Sequence, residues 1–471
     1  MSELPPGVPL GRAPEPLASA SGIVLRRAAS GAIEVLLGLR ARGTRFLPGH
    51  LAFPGGRVDP EDRPGEPGDR ARCASREMRE EAGIDVPVER WIDAGERITP
   101  PMFPVRFQTR FFVAELPDIV LPARPPSPGE IEALEVERPV RVLEAWARGE
   151  TKLPPPVLPI LRVLAEQDGR AEGELAAAIS TANADEERAP RIEFSPDVWV
   201  VPLRSVTLPP ATHTNAWLPG GRAFAVVDPG TTDAGELRRL YEVVARRSAL
   251  GHTARAVLLT HHHQDHAAGA VTVARALDLP LRAHPATLEA LGLAGPGVAP
   301  IEDGEEIDLD GLVLRAVHTP GHAAGHLAFL VVGRGELIAG DLASSFSTIL
   351  IDPQGGDMDA YLASLARVAT LGCRTLLPGH GSPLPARAIP ELIAHRRERE
   401  RKVLAAIPVH GTSLAAIART AYDDVPEAPV ALVERQALAH LLDLERRQRV
   451  SRGGAAQGLW TRIAVTEEER S

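Results

Sequence analysis

Residues 260–266 read THHHQDH, directly after the apolar run AVLL. His261 and His263 lie two apart. On extended chain their side chains point to the same side, so both can face one ion. Asp265 and His266 follow where AAGAVTVARAL begins a helix, which turns them towards a second ion. Imidazole and carboxylate are zinc ligands, and a catalytic zinc keeps one position open for water. Further ligands stand at other strand ends: His322 in HTPGH, Asp341 in IAGD and His380 in LLPGH. Scattered surface histidines are the plain alternative. Seven potential ligands, each placed where an apolar run ends, argue against it.

A second constellation lies at 76–84, REMREEAGI. On a helix, Glu77, Glu80 and Glu81 fall at i, i+3 and i+4, so one face carries three carboxylates. Such charges repel unless a cation sits among them. Oxygen-only ligands favour magnesium or manganese bridged to a phosphate. Arg76 can pair with Glu80 one turn on, and Gly83 supplies a C-terminal stop. Upstream, FPGGRVDPED places Gly56 in a Gly-Gly loop before the helix. Ordinary surface ion pairs would use the same spacings.

These residues need elements to position them. With 471 residues the chain calls for two or three domains. Residues 21–39 predict two strands around a turn at Ser30-Gly31, 71–82 a helix, 106–116 a strand and 154–167 a helix. Residues 168–190 are polar and small and read as a linker, with room for some helix. From 193, short strands alternate with helices, which implies a layered α/β domain. From 391 the pattern turns helical, and three helices before GLWTRI outline a winged helix. The net charge of −10 argues against a polybasic nucleic-acid coat. Two distant cysteines, Cys73 and Cys373, argue against a disulfide framework and fit a reducing cytoplasm. The first twenty residues form a Pro-rich tail without signal-peptide pattern. No run is apolar and long enough to span a bilayer, so no membrane partner is expected.

Over 193–390 the HHHQDH run, HTPGHAAGH, the aspartate after IAG and the histidine of PGHG resemble the metallo-β-lactamase superfamily. The resemblance implies an αββα sandwich. It implies two Zn²⁺ ions, one held by His261, His263 and His322, the other by Asp265, His266 and His380. Asp341 would bridge them, and Asp228 in VVDPG matches an aspartate that supports the site. Two such metals make a bridging water hydroxide near neutral pH, able to attack a carbonyl or phosphorus. Asp265 is then a catalytic candidate, and His326 a candidate either for substrate contact or for plain packing.

Over 21–167, FPGGRVD and REMREEAGI resemble the Nudix box of an α/β/α sandwich. This implies Mg²⁺ or Mn²⁺ at Glu77, Glu80 and Glu81, catalysis by Glu80 and Glu81, and substrate contact by Arg76 and Gly56. The chain departs from the compact pattern: Gly56 and Arg76 stand 20 positions apart, and Gly68 occupies the place of a usual glutamate. Asp62 is the candidate replacement. FPGGRVD, RFQTRFF and PPPVLPILR resemble the branch that includes coenzyme A diphosphatases, and Glu130 is a candidate late carboxylate.

A lactamase-type domain followed by AHRRERE and a winged helix is similar to the β-lactamase-like protein 2 group, which includes a single-stranded RNA endoribonuclease. THHHQDH and HTPGHAAGH also resemble hydroxyacylglutathione hydrolase. The expected architecture is therefore a disordered tail at 1–20, a Nudix domain at 21–167, a linker at 168–192, a metallo-β-lactamase fold at 193–390 and a winged helix at 391–465. The expected function is a two-module hydrolase of small molecules: a nucleoside-diphosphate-linked, coenzyme A-like compound and an ester or thioester. The alternative is RNA cleavage at the lactamase-type centre, with the arginines at 396, 397, 399 and 401 holding the strand and the Nudix module binding a regulatory ligand.

Overall fold

The computed structural model describes residues 10–44, 47–188, 190–453 and 458–463. It is a multidomain α/β protein, and its chain divides into two compact units. One comprises Pro14–Val201 with Tyr241–Arg246; the other includes Pro202–Leu240 and Arg247 onward.

The first unit is built on a mixed sheet. Its strands run in the order Leu51–Ala52, Ile33–Arg40, Leu17–Arg27, Phe107–Glu115, Ile92–Ile98. Gly55–Arg57 also pairs with Leu17–Arg27, and Ile131–Glu137 with Ile33–Arg40. Side chains alternate across a strand, and here both faces are covered, so both residue sets are apolar. Ile23, Leu25, Val35 and Leu37 join one core with the helices Pro139–Ala147 and Val157–Glu166. Ala20, Val24 and Leu36 join another with Cys73, Ala74 and Met78. Those three come from Asp69–Glu77 and the π-helical turn Met78–Ala82 that continues it. Gly83, at φ +70°, ends that turn in the left-handed conformation.

Two boundary expectations are corrected here. Residues 168–192 are not a linker: Glu172–Arg188 is a helix, and its Leu175, Ala176 and Ile179 lie in the first core. Asn183 Nδ2 also donates to the carbonyl of Ala94 at 2.9 Å. Only Leu175 and Ile179, one turn apart, mark its apolar face, among alanines that dilute the periodicity. At the start of the chain, the expected tail reaches only to the first strand, since residues 17–20 already belong to it; residues 1–9 lie outside the described residues.

The second unit contains two facing sheets. One runs Val298–Pro300, Leu281–Ala283, Thr253–Leu258, Ala223–Val227, His213–Pro219, parallel except for the last pair. The other runs Glu306–Asp308, Val313–His318, Leu327–Val331, Glu336–Ser344, Thr375–His380, Leu384–Pro385. Polar side chains tie the sheets together: Asn215 Nδ2 donates to the carbonyls of Pro378 and Gly381 at 2.9 and 2.8 Å, and Trp217 Nε1 donates to Pro378 at 3.1 Å. The helix Met358–Ala369 packs on the outer face of the second sheet.

Behind the sheets stand the helices Ala388–Ala405, Leu414–Ala421 and Val430–Arg446 and the hairpin Val450–Arg452/Trp460–Arg462, around their own small core. The expected boundary at 390/391 falls inside the first of these helices. Ile389 and Ala439 are buried in the core of the second sheet, so the winged helix is continuous with the lactamase-type fold.

Candidate metal centres

The carboxyl ends of the strands gather the titratable groups. Thr253–Leu258 leads into Thr260 and the histidine run, and Gln264–Ala267 turns Asp265 and His266 inward. Asp228 follows the neighbouring parallel strand at φ +53°. From the second sheet, Asp341 comes from Glu336–Ser344 and His380 from the end of the adjacent parallel strand. His322 lies in the connection between Val313–His318 and Leu327–Val331.

The ligand-type atoms fall into three overlapping groups, each within 4.8 Å: His261, His263, His322; His261, His266, Asp341; and Asp265, His266, His380. His263 Nδ1 faces His322 Nε2 at 2.7 Å, and His266 Nε2 faces His380 Nε2 at 3.2 Å. Asp341 touches both ends: Oδ2 lies 3.4 Å from His322 Nε2 and Oδ1 3.3 Å from His266 Nε2. Asp265 Oδ2 lies 3.3 Å from His380 Nε2. On His322, His380 and His266 the outer ring nitrogen is held from behind. His322 Nδ1 donates to the Leu350 carbonyl at 2.8 Å, and His380 Nδ1 to that of His213 at 2.9 Å. His266 Nδ1 donates to Asp228 at 2.8 Å, and Asp228 also accepts from the Thr260 amide and hydroxyl. Such contacts fix the tautomer and leave the inner nitrogen as the ligand.

Electrostatics fit cations here. Among the described residues, His261 Nε2 is buried without a hydrogen-bond partner, a costly state unless a cation meets it. Burial holds His261, His263 and His322 below the usual imidazole range, hence neutral and able to ligate. Burial alone would raise Asp341, but His380 and His266 hold it ionised. Burial opposes charge on His266 and His380 as well, yet the facing aspartates raise both above the usual imidazole range, and a bound cation would compete with those protons. Gly379 leaves the room: a Cβ there would come 2.5 Å from His266 Cε1.

Of the two roles open to His326, its surroundings fit packing rather than substrate contact: it is fully buried, its Nδ1 faces Thr319 Oγ1 at 2.8 Å, and its Nε2 accepts the Asp341 amide at 3.1 Å. It holds the backbone that presents Asp341. Thr260, directly before the histidines, fixes Asp228 through its amide and hydroxyl, a role that no ligand spacing marks. Nothing in the sequence marked the carbonyls of Leu350 and His213, because any residue supplies a carbonyl.

In the first unit, Arg76 is the organiser. It is buried and donates to Asp62 at 2.8 Å, Glu77 at 2.8 Å, Glu80 at 3.0 Å and the Arg57 carbonyl at 2.9 Å. Its donors are thus spent within the protein, which corrects the expectation of substrate contact. Asp62 is buried, which would raise its pKa, but Arg76 holds it below the usual range. This places Asp62 across the lengthened box, where Gly68 left a gap. Gly56 makes room for a carboxylate: a Cβ on it would lie 2.2 Å from Glu77 Oε1. Glu81 accepts the Gly55 amide at 2.9 Å. Burial pushes Glu77 up to about 6 and Glu81 up to about 8, and Glu130 adds like-charge repulsion to both. Among the described residues these glutamates do not converge as tightly as the histidine groups. Glu80 leans out on Arg76 instead, its side chain 47% exposed.

A cleft lies over the histidine centre. Val206, Thr207, Leu208, Ile349, Leu350 and Arg435 line it with the ligand side chains. The C-terminal helices hold its wall: buried Arg396 donates to the Ile349 carbonyl, the Ile351 amide donates to Gln436 at 3.2 Å, and Arg435 pairs with Asp352 at 2.7 Å. Arg399 is buried against Asp424, and Arg401 pairs with Glu398. Arg396 and Arg399 therefore face inward, contrary to the expectation that they hold RNA.

Comparison with known proteins gives three domain matches in order. A NUDIX domain model matches residues 16–157, a metallo-β-lactamase superfamily model 209–380, and a β-lactamase-associated winged helix domain model 413–460. The lactamase-like protein adaB of Aspergillus niger is 33% identical over 200 residues, which cover 41% of this chain and 58% of adaB. The lactamase-like protein vrtG of Penicillium aethiopicum is 32% identical over 231 residues, covering 45% of this chain and 69% of vrtG. The atrochrysone carboxyl ACP thioesterase of Aspergillus fumigatus is 30% identical over 185 residues, covering 37% and 55%. The match thus spans less than two thirds of adaB and of the thioesterase. A β-lactamase domain protein from Burkholderia ambifaria shares the fold, with 21% identity, a TM-score of 0.50, and coverage of 57% of this chain and 94% of its own.

Proposed function

As the chain belongs to the metallo-β-lactamase superfamily, with a Nudix domain ahead of that fold and a winged helix behind it, we propose that it is a two-module metal-dependent hydrolase. The lactamase-type site hydrolyses an ester or thioester of a small molecule. The Nudix module cleaves a diphosphate-linked nucleotide of the coenzyme A kind.

The observation that carries the first reading is Asp341, one carboxylate in contact with both histidine groups. His261, His263 and His322 would hold one divalent cation, and Asp265, His266 and His380 the other, zinc being the fitting ion for this donor set. Two cations there supply Lewis acidity and an activated water. The chain's own residues do the rest. Asp228 and the Leu350 and His213 carbonyls hold the imidazoles in one tautomer. The apolar side chains of the cleft limit water and pack an acyl group. Asp265, beside His380, is positioned to take a proton from the attacking water. The naming of a relative as a thioesterase supports this substrate class.

In the Nudix module, Glu77, Glu80 and Glu81 would hold Mg²⁺ or Mn²⁺, with Arg76 and Asp62 bracing the helix. Burial pushes Glu81 up to about 8 while no cation is bound, so Mg²⁺ binding would displace its proton. RNA cleavage has less support, because Arg396 and Arg399 are buried and Arg401 is paired.

The test offers purified protein an acyl-coenzyme A thioester and, separately, single-stranded RNA, and repeats both with His263→Ala. Thioester cleavage lost in the variant is expected. Metal-dependent RNA cleavage with thioesters left intact overturns the reading.

A further inference from the structure

The cleft over the histidine centre contains one feature that hydrolysis of an ester does not require. Among the described residues lining it, Arg435 is the only arginine or lysine. It comes from the helix Val430–Arg446, far along the chain from every metal-ligand candidate. Its Nη1 donates to Asp352 Oδ2 at 2.7 Å, and the two side chains are 33% and 19% exposed, so solvent and solutes reach the pair. A guanidinium carries five N–H donors in a fork that matches phosphate oxygens.

A plain structural role is the competing account: the pair could simply clamp the cleft wall. That wall is already clamped on both sides of Leu350, by Arg396 on the Ile349 carbonyl and by the Ile351 amide on Gln436. The Arg435–Asp352 pair adds little to this. Half-exposed ion pairs also contribute little stability, about 0–1 kcal/mol. What the pair does supply is a guanidinium fork at the cleft, neutralised and held in place by a carboxylate that another anion can replace.

We propose that Arg435 is a substrate-recognition residue that binds a phosphate at the far end of the thioester's thiol arm, exchanging Asp352 for it. The proposal rests on the hydrolase reading of this site and names its substrate class: a thioester whose acyl group packs on Leu208, Ile349 and Leu350 and whose leaving thiol ends in a phosphate. The C-terminal helical domain is then part of the substrate site.

The probes are S-alkyl pantetheine thioethers, non-hydrolysable, with and without the 4′-phosphate, titrated by calorimetry into the full-length metal-loaded protein. Wild type is expected to prefer the phosphorylated form by roughly tenfold or more, the scale of a charge-assisted hydrogen bond. Arg435→Gln should bring the ratio to about one, and Arg435→Lys should keep part of it. Asp352→Asn should raise it, because the competing carboxylate is gone; a clamp would give the opposite. Wild type that binds both forms equally, or neither, overturns the proposal. So does an Arg435→Gln protein that retains the preference, or one that weakens both forms alike. If Arg435→Gln does not fold, the Arg435→Lys and Asp352→Asn ratios decide. Hydrolysis of the matching acyl thioester is assayed in parallel. Phosphate preference without hydrolysis rejects the hydrolase reading alone, and hydrolysis without preference rejects Arg435 alone.

Discussion

Asp228 lies 2.8 Å from His266 Nδ1, and the opposite nitrogen of the same ring lies 3.3 Å from Asp341. One imidazole is thereby held between a carboxylate that orients it and a carboxylate that shares its task. Asp228 is itself fixed by the Thr260 amide and hydroxyl, so the last residue before the histidine run sets the geometry of its last member.

Removing that orientation should be felt in metal binding before it is felt in folding. Asp228→Ala is expected to lower affinity at the second cation position by about 10–100-fold. Competition titration with a chromophoric chelator measures this. An unchanged affinity would show that His266 needs no support from behind.

Metal content separates the two positions. Wild-type protein is expected to hold about two divalent cations per chain, and Asp265→Ala about one, with hydrolysis at this centre strongly reduced. Elemental analysis after purification without chelators gives the count. Traces only, with no recovery of activity on adding zinc, would defeat the two-cation reading.

The two active sites should fail independently. Glu81→Gln is expected to abolish Mg²⁺-dependent diphosphatase activity and leave thioester hydrolysis intact, because Glu81 belongs to the other compact unit. Parallel assays of both reactions check it. Joint loss in a folded protein would mean that the sites are coupled.

Asp62 carries the integrity of the Nudix loop. Its carboxylate is 2% exposed and pairs with Arg76 at 2.8 Å, so Asp62→Ala leaves a buried cation short of a partner. Glu77 and Glu80 still neutralise Arg76, so the expected cost is that of a charge-assisted hydrogen bond, about 1.5–3 kcal/mol, read from chemical denaturation of this unit. Its folded pKa lies below the ordinary value. The stabilisation is therefore full above about pH 4 and is lost as pH falls below it.

His440 predicts acid sensitivity in the winged helix. It is fully buried, neither ring nitrogen has a hydrogen-bond partner among the described residues, and burial, with Arg396, Arg399 and Arg447 nearby, lowers its pKa to about 3. The unfolded chain takes up this proton near pH 6.5 and the folded one only near 3, so stability falls as pH drops through that window. The slope is up to about 1.4 kcal/mol per pH unit. Denaturation curves at about pH 7.5 and about pH 5 should show it in wild type and show less of it in His440→Leu. Equal pH dependence in both would clear His440 of this role.

By itself, the sequence named the seven residues that the structure gathers at the histidine centre and the order of the domains. It could do so because each ligand sits at the end of a short apolar run, and parallel strands deliver such ends to one edge. The same local logic located the glutamate helix. It could not see what depends on contacts between distant segments. Asp62 meets Arg76 across a lengthened loop, and the helix Glu172–Arg188 declares itself only by packing two apolar residues into a core made elsewhere. Arg396 and Arg399 read as a basic surface until the fold turned them inward onto Ile349 and Asp424. Arg435 reached the cleft because a helix more than a hundred residues beyond His322 closes its wall. Local pattern encodes which atoms can bind a cation, whereas burial and the choice of partner for a charge are properties of the packed chain, and only the tertiary structure decided them.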